Sequence, residues 1–154
     1  MHILPFRIEE VWLAIDAGQV EQILGKREWT KVPAALAQWP GVLAWRGRAV
    51  AVLDLASLLE HPPLLSNRSR SRTLIAKACG SLLAIPVDEI REAQLVAEAL
   101  LRPVHVTRQR YAAYELELGA SVVPIIDAVA LVTDGLAQAA ESNRGVGPRV
   151  APAS

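Results

Sequence analysis

Side chains able to make or break bonds are scarce and scattered in this chain. Its three histidines, His2, His61 and His105, lie at the start, in a Pro- and Ser-rich stretch and after Pro103. None stands at a spacing that pairs it with a carboxylate or a second ligand for metal or acid–base chemistry. The one cysteine, Cys79, sits in Ala78-Cys79-Gly80 with no basic residue nearer than Lys77, which favours a structural thiol over a nucleophile. Neither a Walker sequence nor G-x-G-x-x-G is present to cradle phosphates. Catalysis would require His105, Cys79 and a carboxylate to converge in space, so the expectation is no enzyme, no metal and no cofactor. Binding has more material. Trp12, Trp29, Trp39 and Trp45 all fall in the first 45 residues, and tryptophan serves either as an interface anchor or as core. At least one is expected to be exposed.

The composition narrows the class. With 154 residues, 52% hydrophobic and 21% charged, the chain is apolar enough for a large core and long enough for one compact unit or two small subdomains. Sixteen Lys and Arg balance sixteen Asp and Glu, so no overall positive field draws in nucleic acid or an acidic membrane surface. A lone cysteine suits a reducing compartment. The N-terminus shows no signal-peptide pattern, and no run reaches the roughly 18 apolar residues of a membrane helix. A cytoplasmic protein that is not inserted in a membrane is expected.

The elements that must position any site read as strands. Phe6 and Ile8, then Val11, Leu13 and Ile15, alternate at period two around a hairpin at Glu9-Glu10. A turn around Trp45-Arg46-Gly47-Arg48 separates Val42-Leu43 from Ala49 to Leu53, and Asp54 caps a short helix through Leu59. His61 to Arg72, with Arg68, Arg70 and Arg72 alternating with serines, reads as an exposed loop. An internal repeat is the most informative pattern. Val50 to Asp54 followed by Leu58-Leu59 matches Val123 to Asp127 followed by Leu131-Val132, 73 positions on. Leu13-Ala14-Ile15 with Val20 matches Leu83-Ala84-Ile85 with Ile90, 70 positions on. The same order in both halves indicates two related β subdomains. Val87, Ile90, Ala93, Ala97, Leu100 and Leu101 fall at helical spacing, but the repeat requires a strand near Ile90 and leaves only Ala97 to Leu101 helical. Asp127 caps a C-terminal helix, and after Ser142 a Gly-, Pro- and Ala-rich tail is expected to be disordered, which makes residues 1–141 one domain and 142–154 a tail.

The stretch from Gly41 to Leu55, GVLAWRGRAVAVLDL, resembles the signature of CheW-like chemotaxis coupling proteins, G-V-(I/L)-N-L-R-G-x-(I/V)-(I/V)-P-V-(I/V)-D-L. Val20-Glu21-Gln22-Ile23 resembles the family's V-x-E-I, and Ala84 to Ile90 resembles G-L-x-V-D-x-V. The resemblance covers about residues 4 to 135. It implies an all-β fold of two SH3-like five-stranded β-barrels on a shared hydrophobic core. It also implies a non-catalytic scaffold that couples the cytoplasmic tips of chemoreceptors to the regulatory domain of a CheA-type histidine kinase. Weak self-association through barrel ends is implied as well. Carried over residue by residue, the protein-binding positions are Val20, Gln22, Gly41, Arg46, Gly47, Ala84 and Ile90. Positive φ at Gly41 and Gly47, and plain core roles for Val20 and Ile90, are equally open readings. Gln22 stands where the family glutamate pairs with the arginine, so a neutral hydrogen bond is expected in place of an ion pair. Ala44, Ala51 and Ala84 replace asparagine, proline and glycine. These departures leave room for a type IV pilus or other non-motility array, or for an assembly protein that binds CheW-like barrels without any kinase. A small nucleic-acid-binding barrel is the more distant alternative.

Overall fold

A strand whose residues alternate between two apolar faces needs a second layer on each side, and the hairpins of this chain are built that way. The computed structural model describes residues 1–33, 38–58, 70–103, 112–118 and 121–132. In chain order the strands are β1 (His2–Ile8), β2 (Val11–Asp16), β3 (Val20–Leu24), β4 (Thr30–Lys31), β5 (Gly41–Trp45) and β6 (Arg48–Val52), followed by helix α1 (Leu55–Leu58). Then come β7 (Arg72–Ala78), β8 (Ser81–Val87), β9 (Glu89–Ile90), β10 (Gln94–Leu95), β11 (Leu101–Pro103), β12 (Ala112–Leu118) and β13 (Ser121–Ile126). Residues 128–132 are helical. The expected C-terminal helix beyond 132, the tail, His61, His105 and most of the 61–72 loop lie outside the described residues.

The strands form two SH3-like subdomains. One sheet, called A here, runs β10-β1-β2-β13-β12-β11, with β9 also pairing β1. The other, B, runs β3-β7-β8-β6-β5-β4. The repeat is visible in both: β13 joins β2 in parallel through Ile125↔Ala14 and Ile126↔Ile15, as β6 joins β8 through Ala51↔Leu83 and Val52↔Ala84. The subdomains are nevertheless not the two halves of the chain. Sheet A takes β1–β2 from the first half and β9 to β13 from the second, and sheet B takes β3 to β6 from the first and β7–β8 from the second. Each half lends its leading hairpin to the other.

Burial explains the exchange. Leu4, Phe6, Ile8, Leu13 and Ile15 from sheet A meet Leu74, Ala76, Ala78, Leu83, Ile85 and Val87 from sheet B in one shared core. The alternate residues of the same hairpins turn inward, with Ile3 and Ala14 inside A and Ile75 and Ala84 inside B. Each fully buried Leu, Ile or Phe is worth roughly 1.5–3 kcal/mol, and the lent hairpins supply most of them. Two aspartates close the strand-to-helix junctions as expected: Asp54 Oδ1 accepts from Ala56 N–H at 3.1 Å and Asp127 Oδ1 from Val129 N–H at 2.9 Å.

The strand expected near Ile90 is present, because Phe6↔Ile90 and Ile3↔Gln94 draw the segment after Val87 onto β1, and within Ala97 to Leu101 only Glu98–Leu100 forms a 3-10 turn. Two expectations are corrected. None of the four tryptophans is exposed; each is half-buried, with Trp39 against the shared core and Trp29 and Trp45 against the interior of B. Arg70 is not a solvated loop residue. Its side chain is 12% exposed and contacts Asp88 Oδ2 at 2.6 Å and Glu9 Oε1 at 3.1 Å. Asp88 Oδ2 also accepts from Glu9 N–H at 2.6 Å, which holds the β1–β2 turn where Glu9 has φ +54. Cys79 lies with Gly80 in the exposed β7–β8 turn, so the thiol is not packed in the core.

Strand exchange makes the two halves mutually dependent. Segments 1–69 and 70–154 expressed separately are expected to lack a cooperative thermal transition by circular dichroism, and mixing them is expected to restore it. A cooperative transition in either half alone would contradict the topology.

Candidate docking site

Arg46 and Gly47 form the two-residue turn between β5 and β6, which pair as far as Trp45↔Arg48. Both have positive φ, +48 and +72, the combination that matches the twist of a tight hairpin. Glycine accepts this freely, but arginine does so at a cost of order 1–3 kcal/mol that its surroundings must offset. Those surroundings are specific. The guanidinium lies over the Trp45 ring at 4.7 Å, and Arg46 Nη2 donates to Gln22 Oε1 at 3.2 Å. Trp45 Nε1 donates to the same oxygen at 3.1 Å.

Gln22 belongs to β3, at one edge of sheet B, whereas Trp45 ends β5 near the opposite edge. The shared acceptor therefore joins strands that have no backbone ladder between them and closes the barrel across its seam. The expected neutral hydrogen bond is corrected in one respect. Gln22 is neutral but its donor is a guanidinium, so the contact keeps half of its charge assistance. A bulge in β3, where Val20 pairs Ala76 and Gln22 pairs Ile75, leaves Glu21 as the extra residue, and it reaches Lys77 at 3.6 Å.

The site positions named from the sequence fall into three groups. Gln22, Ala84 and Gly41 share one cross-strand row, Gln22↔Ile75↔Ala84↔Val52↔Gly41, which spans five strands of sheet B. Ala84 is fully buried and so does not offer its side chain to a partner, and Gly41 is buried and has none to offer. Gly41 does not have positive φ; a Cβ there would overlap the Thr30 carbonyl oxygen and lie 2.8 Å from Trp29 Cε3. Arg46 and Gly47 are the exposed pair at the turn. Val20 and Ile90 are half-buried on the rim of the shared core, one on each sheet. The structure thus joins Gln22, Arg46 and Gly47, supports them from below through Gly41 and Ala84, and places Ile90 on the other subdomain. Sequence reading missed Trp45 as the second donor and Arg70 as the tie to Asp88. An indole beside the turn was the only signal for the first.

The described residues contain no helix long and apolar enough to cross a membrane. A family model described as the CheW-like domain matches residues 2–135. Over 57 residues the chain is 37% identical to "Chemotaxis protein CheW" of Thermotoga maritima, a match that covers 37% of this chain and 38% of that protein, well under two thirds of its length. The scaffolding protein TtCheW from Thermoanaerobacter tengcongensis, solved by crystallography, superposes with a TM-score of 0.72 at 21% identity, covering 83% of this chain and 89% of that one. That likeness establishes the fold.

Two substitutions test the geometry. Gly41→Ala is expected to destabilise the protein by about 1–3 kcal/mol in urea denaturation, because the obstacle is backbone that cannot swing aside. Gln22→Glu is expected to stabilise it by up to about 1 kcal/mol at low salt, with the gain shrinking as salt rises, since the new carboxylate pairs with an exposed guanidinium.

Proposed function

Because the chain belongs to the CheW-like domain family, we propose that it is a non-catalytic scaffold that couples chemoreceptors to a CheA-type histidine kinase. The observation that carries the site is the Gln22–Trp45–Arg46 cluster, a pre-positioned arginine on a rigid turn at the seam of subdomain B. A guanidinium already ordered by stacking and a hydrogen bond loses little entropy when a partner engages its remaining donors. In this reading Arg46 and Gly47 contact the kinase regulatory domain, and Gln22 holds Arg46 in place. Gly41 and Ala84 keep the row beneath them narrow enough to pack. Val20 and Ile90 lie on the rims of the core where the two subdomains meet, which suits the apolar face of a receptor helix. The scaffold acts in the cytoplasm, needs no metal or cofactor, and self-associates weakly through barrel ends.

A second reading keeps the fold and changes the pathway, to a type IV pilus or another non-motility array. It is favoured by Gln22, which leaves Arg46 without the carboxylate found at that place in the family's pattern.

The experiment is calorimetric titration of the protein into the regulatory domain of a CheA-type kinase from the same cell. Saturable binding, weakened at least tenfold by Arg46→Ala in a variant that melts like the parent, is the expected outcome. Absence of binding at high micromolar concentration sinks kinase coupling.

A further inference from the structure

Net neutrality conceals a strong separation of charge between the two subdomains. Along the chain no asymmetry exists: residues 1–58 carry six Lys and Arg and six Asp and Glu, and residues 70–132 carry seven of each. Strand exchange sorts them. The segments that build sheet B, residues 20–52 and 72–87, hold seven cations and two carboxylates, Glu21 and Glu28. The segments that build sheet A, residues 1–16 and 89–126, hold eight carboxylates and, among the described residues, three arginines. Arg108 and Arg110 lie outside the described residues and leave the sequence of that subdomain acidic.

The pairing pattern sharpens the contrast. In subdomain A all three arginines have carboxylate partners, Arg7 and Arg91 at Glu89 and Arg102 at Glu117. In subdomain B all seven cations are exposed, and Lys77 alone has an ion-pair partner among the described residues. Several line up along β3. Lys77 lies beside Glu21, Arg46 is bonded to Gln22, and Arg72 adjoins the Leu24↔Thr73 pair where the chain runs on to Lys26 and Arg27.

We infer that subdomain B is the docking face for an acidic protein surface, with Arg46 and Arg48 as the residues that select clustered carboxylates. The chemistry favours protein over nucleic acid. Single-stranded nucleic acid binds through open aromatic platforms, whereas all four indoles here are half-buried and Arg46 already covers Trp45. A planar guanidinium fork held at a turn instead fits a carboxylate in two-point contact. The acidic partner subdomain repels the same ligand, so approach is steered to one end of the molecule. This deepens the coupling reading by giving the chemistry of the partner, and relies on it only for the partner's identity.

The test uses the full chain, labelled with nitrogen-15, titrated with a synthetic Glu-rich peptide at 50 and 300 mM salt. Expected are amide shifts confined to β3 to β8, with affinity falling roughly tenfold across the salt range. Arg46→Gln combined with Arg48→Gln is expected to lose at least tenfold. Gln22→Glu, which keeps the turn and neutralises Arg46, should lose several-fold. Glu92→Lys with Glu98→Lys on subdomain A should not weaken binding. Shifts spread evenly over both subdomains, insensitivity to the Arg46, Arg48 and Gln22 changes, or tighter binding of a single-stranded RNA of equal charge would overturn the inference. Peptide binding without kinase binding would keep the acidic docking face and remove the coupling role.

Discussion

Two hairpins that are apolar on both faces dictate the architecture. In β1–β2 and β7–β8, one set of alternate side chains fills a barrel and the other set meets the opposite hairpin in the shared core. Neither hairpin can satisfy both faces within its own half of the chain. Lending it to the other half does so, because the borrowing sheet covers one face while the partner hairpin covers the other. Every later feature follows from this arrangement: the parallel pairings of β2 with β13 and β6 with β8, the Asp-capped exits at Asp54 and Asp127, and the placing of Val20 and Ile90 on the core's rim.

The docking cluster is a consequence of barrel closure. A sheet whose first and last strands do not ladder needs side chains to bridge the seam, and Gln22 does this with one oxygen for two donors. The same bridge orders the arginine of the proposed docking turn. Its stacking and hydrogen bond explain how a strained, positive-φ arginine persists at a turn where asparagine or glycine is easier. Below it, the missing Cβ at Gly41 lets the Thr30 carbonyl and the Trp29 ring close on β5.

Charge follows the same logic with a different result. Side chains on exposed positions are sorted by whichever sheet their strand joins, and exchange moves the acidic β1–β2 segment away from the basic strands that follow it in the chain. Exclusion of polyanionic partners from net charge alone is therefore weaker than it looked, since the relevant field is that of one subdomain. The argument that remains against nucleic acid is the lack of an exposed aromatic platform among the described residues of the basic subdomain, the exposed Tyr114 lying on the acidic one.

Period-two apolar patterning, the glycine turn and the two Asp-capped repeats were legible without a structure, because each depends on neighbours within a few residues. Those local signals carried the all-β class and the duplication, whereas the shared core and the attention to Arg46 and Gln22 came from the resemblance to the CheW-like family. Helical spacing from Val87 to Leu101 competed with the repeat, and the strand that the repeat required near Ile90 is the one that ladder bonds with β1, more than 80 residues away in the chain, hold in place. What only tertiary structure decided is everything set by distant pairing. That includes which half lends which hairpin, the burial of Arg70 against Asp88 and Glu9, the indole donor at Gln22, and the separation of charge. A linear sequence records spacing along one chain, whereas these depend on which surfaces are left to be covered once each strand has found its sheet.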